Sequence, residues 1–378
     1  MVINTIYFTK YIASLREKNY TEQSSVKVTQ TKENNAMSMN FVKRIPTAGE
    51  IIEQIPLPNQ IRDIKETRDN DLRNIFENKD NRFILIIGPC SADNEDSVCE
   101  YIEKLARVQE KVKDSILIVP RIYTNKPRTT GEGYKGMAHQ PDPSKKPDLF
   151  EGIKAIRRMH LRALCEYHMP AADEMLYPEN YTYLADVLGY IAIGARSVEN
   201  QQHRLAVSGV DTPVGMKNPT SGDLSVMLNS IIASQQGHTF TYAGWEVETT
   251  GNLLTHAILR GAVDSNGRNI PNYHFEDLIR IAKDYEKLQL SNATIIVDTN
   301  HANSMKCYSE QPRIAREVLM SRKYDALLKK MIKGLMIESY LVEGRQGIGE
   351  NIYGKSITDA CLGWDDTEKL IYYIAENV

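Results

Sequence analysis

From Phe83 onward, short runs of apolar and β-branched residues alternate with longer stretches whose apolar positions recur every three or four residues. FILIIGPCS reads as a strand, Val98, Ile102, Leu105 and Val112 share one face of a helix, and ILIVPRIYT reads as the next strand. A helix from Leu149 to His168 carries Ile153, Ile156, Leu164 and Tyr167 at helical spacing and leads to PAADE, IAIGARS and PVGMKN. Leu224, Leu228 and Ile231 mark another helix, and an irregular stretch from Gly237 to Asn252 has the character of a hairpin. THAILRG follows, then a helix through Phe275, Leu278, Ala282 and Tyr285, then TIIVDTNH. A helix with Ile314 and Val318, the run GLMIES, and a last helix around Leu370 and Ile374 complete the series.

Eight βα units result, their strands ending near Cys90, Arg121, Glu174, Arg196, Lys217, Arg260, His301 and Glu338. Alternation of this kind implies a parallel sheet. The pattern therefore predicts an α/β fold: a (β/α)8 TIM barrel over residues 81–378, with an N-terminal extension and an inserted β-hairpin. Residues 41–80 form the extension, Pro-punctuated at IPTAGEIIEQIPLPNQ and helical through DNDLRNIFENK, and suit an interface element. Residues 1–40 are expected as a disordered tail, because the polar run from Asn19 to Asn40 cannot offset the entropy of ordering itself. Met37 and Met39 precede the first patterned segment, which suggests that translation starts there. Residues 2–30 found by mass spectrometry in the native protein would remove that idea.

Composition narrows the function classes. With 46 Lys and Arg against 49 Asp and Glu, the formal charge is −3, so no global field favours nucleic acid. No apolar run reaches the roughly 18 residues of a spanning helix, which excludes a membrane span. The five cysteines are odd in number and include no CxxC pair, which speaks against a disulfide framework and for a cytoplasmic protein.

The active site of such a barrel lies at the C-terminal strand ends, and here every end carries an ionisable side chain. Turn chemistry alone would ask only for Gly, Asp, Asn or Ser. Arg121, Lys126, Arg196, Lys217 and Arg260 would converge on one mouth, with Arg128 and Thr129 beside Lys126 in KPRTT. Taken singly each is an ordinary surface cation; together they suit a phosphorylated and carboxylated substrate. Cys90, His301, Glu338 and Asp359 have no metal-site spacing along the chain, and each alone reads as a core thiol, a cap or a solvated charge. If the barrel brings them together, the thiolate, imidazole and two carboxylates suit divalent manganese, iron, cobalt or zinc rather than magnesium.

The ordered series IGPCS, R-x-Y-x-x-KPRTT, GARS-x-E-x-Q-x-HR, PVGMKN, ILRG, D-x-NHANS, GLMIES-x-LVEG and YGKSITDACLGW resembles 3-deoxy-D-arabino-heptulosonate-7-phosphate (DAHP) synthases of the type I class, over about residues 45–378. The resemblance implies a transferase that condenses phosphoenolpyruvate with erythrose 4-phosphate and releases phosphate, in the first step of aromatic amino acid biosynthesis. It implies metal binding by Cys90, His301, Glu338 and Asp359. Phosphoenolpyruvate would be held by Arg121, Lys126, the backbone of Ala195, Arg196, Lys217 and Arg260, with Glu174 nearby; the aldose phosphate would meet Lys126, Pro127, Arg128 and Thr129. Lys126 is the candidate proton donor, its pKa expected to be lowered by neighbouring cations. Family membership also implies a homodimer or homotetramer and an aromatic amino acid effector.

Several segments depart from the family's commoner forms: GARSVENQ for GARTTESQ, NPTSG for NGTDG, and DTNH for D-x-SH. None removes a proposed ligand. Asp211 and a shortened stretch from Gly237 to Asn252 fall where feedback-inhibited relatives build their amino acid pocket, so inhibition is expected to be altered or absent. Two rivals remain: the sister 3-deoxy-D-manno-octulosonate-8-phosphate synthases, which typically carry a KANR-type segment in place of KPRTT, and a non-catalytic phosphate-binding barrel.

Overall fold

Eight short strands form one parallel sheet: β1 (Phe83–Gly88), β2 (Ile116–Pro120), β3 (Ala172–Glu174), β4 (Tyr190–Ile193), β5 (Val214–Lys217), β6 (His256–Leu259), β7 (Ile295–Asp298) and β8 (Ile332–Glu338). Their order is β2-β1-β8-β7-β6-β5-β4-β3, and a parallel bridge between Arg121 and Ala172 joins the two outer strands into a ring. The expected (β/α)8 barrel is the fold. It is seen in a computed structural model that describes residues 40–128 and 130–378. The readings of residues 1–39, with the Met37 and Met39 starts, and of Thr129 lie outside the described residues. Ala48–Val378 is one compact unit.

Strand side chains alternate between two cores. Phe83, Leu85 and Ile87 face the surrounding helices, while Ile84 and Ile86 join Leu117, Val119, Ala172, Tyr190, Ala192, Ile258, Ile296 and Met336 inside the ring. Carrying that period of two along each strand puts Cys90, Arg121, Glu174, Arg196, Lys217, Arg260, Asp298 and Glu338 in phase with the interior. The apolar filling of the barrel thus turns ionisable at one end.

The other end is closed by the helix Asn59–Phe76, whose Leu72, Ile75 and Phe76 complete the inner core. That face follows from apolar residues three and four apart. Lys333 donates to the carbonyls of Ile75 (2.9 Å) and Phe76 (2.6 Å), fastening the helix end to β8. Outer helices begin on side-chain caps: Asn94 accepts from Ser97 N, Asp148 from Phe150 N and Glu151 N, and Asn200 from Gln202 N and His203 N. Each such cap contributes about 1 kcal/mol.

The hairpin expected between Gly237 and Asn252 is present as Thr239–Tyr242 paired antiparallel with Trp245–Glu248. Ala243 (φ 49°) and Gly244 (φ 83°) make the two-residue turn that such a hairpin requires. Elements without a sequence signal are short: helices Ala48–Gln54 and Pro178–Tyr181, and two ribbons that pair Ala262–Val263 with Asn269–Ile270 and Val342–Arg345 with Lys355–Ser356. No helix of the described residues is long and apolar enough to cross a membrane.

Candidate active site

Two glycines let the strand exits come close enough to form a site. A Cβ on Gly88 would lie 2.3 Å from the carbonyl of Arg121, and one on Gly194 would lie 2.2 Å from Oε1 of Glu174. The first contact sets β1 against β2 below Cys90; the second sets Glu174 against the turn that carries Ala195 and Arg196.

On this frame Cys90, Glu338 and Asp359 bring one ligand atom each to within 4.8 Å of one another. Cys90 and Glu338 are buried and Asp359 is exposed. His301 Nε2 stands 3.8 Å from Glu338 Oε1, at the edge of this cluster and outside the 4.8 Å group. The backbone of His301 is left-handed (φ 54°), an uncommon state for a non-glycine residue that fits a functional site. A soft sulfur, an imidazole and two carboxylates fit a borderline divalent metal ion, and the burial of two of them fits an ion that stays in place. With no ion, burial and the Glu338 charge push the Cys90 thiol up to about 11, although Lys126 opposes this. A cation in this cluster would reverse the effect.

The cations surround these donors. Arg121 Nη1 donates to Glu338 Oε1 (2.5 Å), Lys126 Nζ lies 3.0 Å from Cys90 Sγ, and Lys217 Nζ donates to Asp298 Oδ2 (2.9 Å). Burial alone would raise the Glu338 carboxyl, but Arg121, His301 and Lys126 outweigh it and bring it down to about 2. Desolvation pulls the Arg260 guanidinium below its usual value, and its Nη1 finds no hydrogen-bond partner among the described residues. Nε of Arg121 is likewise buried and unpartnered. Buried donors of this kind cost free energy unless something fills the site, and an anion would satisfy them.

Arg196 is exposed at the rim, with Ala195, Lys126, Pro127 and Arg128 half-buried. Arg128 is steadied by a 2.8 Å hydrogen bond from Nε to the carbonyl of Tyr134. One expectation is corrected. The Lys126 ammonium is not lowered but raised: burial and Arg121 oppose protonation, yet the Cys90 sulfur and the Glu338 and Glu174 carboxylates more than compensate.

Sequence reasoning missed four supports. Tyr123 is fully buried beneath the cations, its ring centre 3.9 Å from the Arg121 guanidinium, 5.9 Å from Lys126 Nζ and 6.0 Å from Lys217 Nζ. Asn218 accepts from Arg260 N (2.9 Å), fixing the exit of β6 against that of β5. Asp298 is in contact with both Lys217 and His301, and Asn300 Nδ2 donates to Glu338 Oε2 (2.5 Å). A strict period of two counted from Ile296 would have ended β7 at Asp298 rather than near His301.

The chain is similar to known proteins over most of its length. A sequence profile of the DAHP synthetase I family matches residues 56–371. A phospho-2-dehydro-3-deoxyheptonate aldolase of Haemophilus influenzae is 38% identical over 337 residues, which is 87% of this chain and 90% of that one. The Phe-sensitive enzyme of that name from Escherichia coli K12 is 34% identical over 354 residues, covering 92% of this chain and 98% of the relative. The solved structure of the Francisella tularensis aldolase of the same name superposes with a TM-score of 0.83 at 30% identity, covering 90% of this chain and 98% of that one.

Proposed function

The chain belongs to the DAHP synthetase I family, and from that premise we propose which of its residues carry the family's reaction. The protein is an enzyme that condenses phosphoenolpyruvate with erythrose 4-phosphate to 3-deoxy-D-arabino-heptulosonate 7-phosphate and inorganic phosphate, at the start of aromatic amino acid biosynthesis.

Arg121, Lys217 and Arg260 hold the carboxylate and phosphate of phosphoenolpyruvate from inside the mouth, with Lys126, Arg196 and the backbone of Ala195 above them. The buried, unpartnered nitrogens of Arg121 and Arg260 support this placement. Glu174, packed against Gly194, keeps the Ala195–Arg196 turn at the edge of the same pocket. Pro127, Arg128 and Thr129 receive the aldose phosphate.

Cys90, His301, Glu338 and Asp359 hold one divalent ion, of manganese, iron, cobalt or zinc, which when bound supplies a Lewis acid for the aldehyde oxygen. The enol carbon of phosphoenolpyruvate forms the new bond to the aldehyde carbon. Lys126, kept protonated by its anionic neighbours, gives its proton to the oxygen that becomes the new hydroxyl. Water adds to the carbon left electron-poor, and collapse of the resulting hemiketal phosphate expels phosphate. Arg121, Lys217 and Glu338 are buried, which strengthens the charge interactions they make.

The observation that carries this reading is the meeting of Cys90, Glu338 and Asp359 within 4.8 Å, with Lys126 Nζ 3.0 Å from the thiol. Phosphate release from phosphoenolpyruvate tests it, with erythrose 4-phosphate set against arabinose 5-phosphate and metal-stripped enzyme against the same enzyme with manganese restored. Manganese-dependent release with erythrose 4-phosphate alone is expected. Release with arabinose 5-phosphate instead would move the chain to the sister family.

The working form is a homodimer or homotetramer. Relatives are named as sensitive to phenylalanine or tyrosine. In this chain Tyr242 of the hairpin donates to the carbonyl of Pro178 (2.5 Å), and Asp211 adds a charge to the same region. Asp211 and the shortness of the stretch from Gly237 to Asn252 support altered or absent inhibition; strong inhibition by micromolar phenylalanine or tyrosine would contradict it.

A further inference from the structure

Asp298 sits where the two halves of the mouth meet. Its Oδ2 lies 2.9 Å from Lys217 Nζ and 2.8 Å from His301 Nδ1, and its Oδ1 accepts from the backbone N of Asn300 at 3.0 Å. Asn300 in turn donates from Nδ2 to Glu338 Oε2 and accepts from Ser304 Oγ through Oδ1. One carboxylate, 1% exposed, therefore touches a cation on β5 and a donor after β7, and reaches a donor on β8 through a single amide. Glu338 Oε1 also spans the two sets, 2.5 Å from Arg121 Nη1 and 3.8 Å from His301 Nε2, but Glu338 is itself a proposed metal ligand, whereas Asp298 is not.

We propose that Asp298 is a positioning residue that ties the metal half of the site to the phosphoenolpyruvate half. The inference rests on the functional reading above and names a role that reading leaves unassigned. The Asp298 carboxylate lies beside Nδ1 at ion-pair distance, outside hydrogen-bond geometry, and its charge favours a ring proton on that nitrogen with Nε2 turned to Glu338. The same oxygen anchors the Lys217 ammonium. An amide in place of the carboxylate removes the negative charge that both groups face, and it must set its NH2 either against the backbone N–H of Asn300 or against the Lys217 ammonium. Lys217 and His301 are thus held by one group, although each binds a different partner.

The test is the pattern of losses across three variants, read as binding rather than turnover. Manganese affinity is measured by competition with a chromogenic chelator in the absence of substrates, and phosphoenolpyruvate affinity by equilibrium dialysis on metal-free protein. Lys217→Gln is expected to weaken phosphoenolpyruvate alone, His301→Gln manganese alone, and Asp298→Asn both, with manganese weakened about 10–100-fold. An Asp298→Asn protein that loses one affinity only, or neither, overturns the assignment. Should that variant fail to fold, 15N-histidine correlation spectra of the wild type decide the matter: Nδ1–H with an unprotonated Nε2 at His301 supports it, and the opposite tautomer overturns it. Wild-type protein that binds neither ligand overturns the functional reading as well, whereas wild type that binds both beside an unchanged Asp298→Asn overturns this assignment alone.

Discussion

The two ends of the barrel solve opposite problems with the same kinds of residue. At the closed end, the buried His256 and Lys333 both find partners. His256 Nδ1 donates to the carbonyl of Leu254 (2.8 Å), its Nε2 accepts from Tyr190 OH (2.7 Å), and its ring lies 4.5 Å from that of Phe76. Lys333 spends its ammonium on two helix carbonyls. At the open end, Arg121 and Arg260 keep buried nitrogens without partners among the described residues, and cations stand opposite carboxylates and a thiol. Satisfied polar burial fixes the fold; unsatisfied polar burial is tolerated where binding will offset it. Substitutions at the open end should therefore alter activity at constant stability, and those at the closed end the reverse.

The largest separation should come from Lys126→Met. Turnover is expected to drop about 10²–10⁴-fold with the melting temperature unchanged, measured by phosphate release beside thermal unfolding. Near-normal turnover would remove Lys126 from the chemistry. Phe76→Ala is the counterpart: about 3–5 kcal/mol of stability lost in a denaturant titration, with the KM for phosphoenolpyruvate of the folded fraction unmoved. A tenfold rise in that KM would show that the two ends are not independent.

Next in size is Arg128→Ala, expected to raise the KM for erythrose 4-phosphate by about 1–3 kcal/mol in binding terms and to spare that for phosphoenolpyruvate. Equal effects on both substrates would contradict the division of the mouth. The last effect is set by pH and is spread over several units, so it is the smallest at any one step. Burial holds the folded His256 imidazole down to about 3, against 6.5 for an ordinary histidine, so between these values the unfolded chain binds the extra proton. Stability contributed by neutral His256 is full above pH 6.5 and lost as pH falls toward 3, with a slope of at most about 1.4 kcal/mol per pH unit. His256→Gln should flatten this part of the stability profile; an unchanged slope would assign the acid sensitivity elsewhere.

Much of this contrast is legible in the sequence, because barrel strands write their interior in a period of two. Ile84, Ile86 and Cys90, or Ile258 and Arg260, announce both the core and where it turns polar. The proposed metal cluster is not legible by spacing, since Cys90, His301 and Asp359 lie on separate loops and Glu338 ends β8; resemblance supplied it. Tyr123, Asn218, Asp298 and Asn300 escaped notice because polar supports carry no periodic signature. They are defined by the partners they hold, and those partners are distant in sequence. The direction of the Lys126 shift was missed for the same reason: Cys90, Glu338 and Glu174 face it only after folding. Helices such as Ala48–Gln54 and the short ribbons are too brief for a repeating pattern to declare them.

Anomalous diffraction from crystals grown with manganese and phosphoenolpyruvate bears most directly on the open end as a catalytic mouth. A single manganese peak among Cys90, His301, Glu338 and Asp359, with phosphoenolpyruvate density against Arg121, Lys217 and Arg260, is the expected result. A manganese peak elsewhere, or phosphoenolpyruvate bound away from these cations, would contradict it.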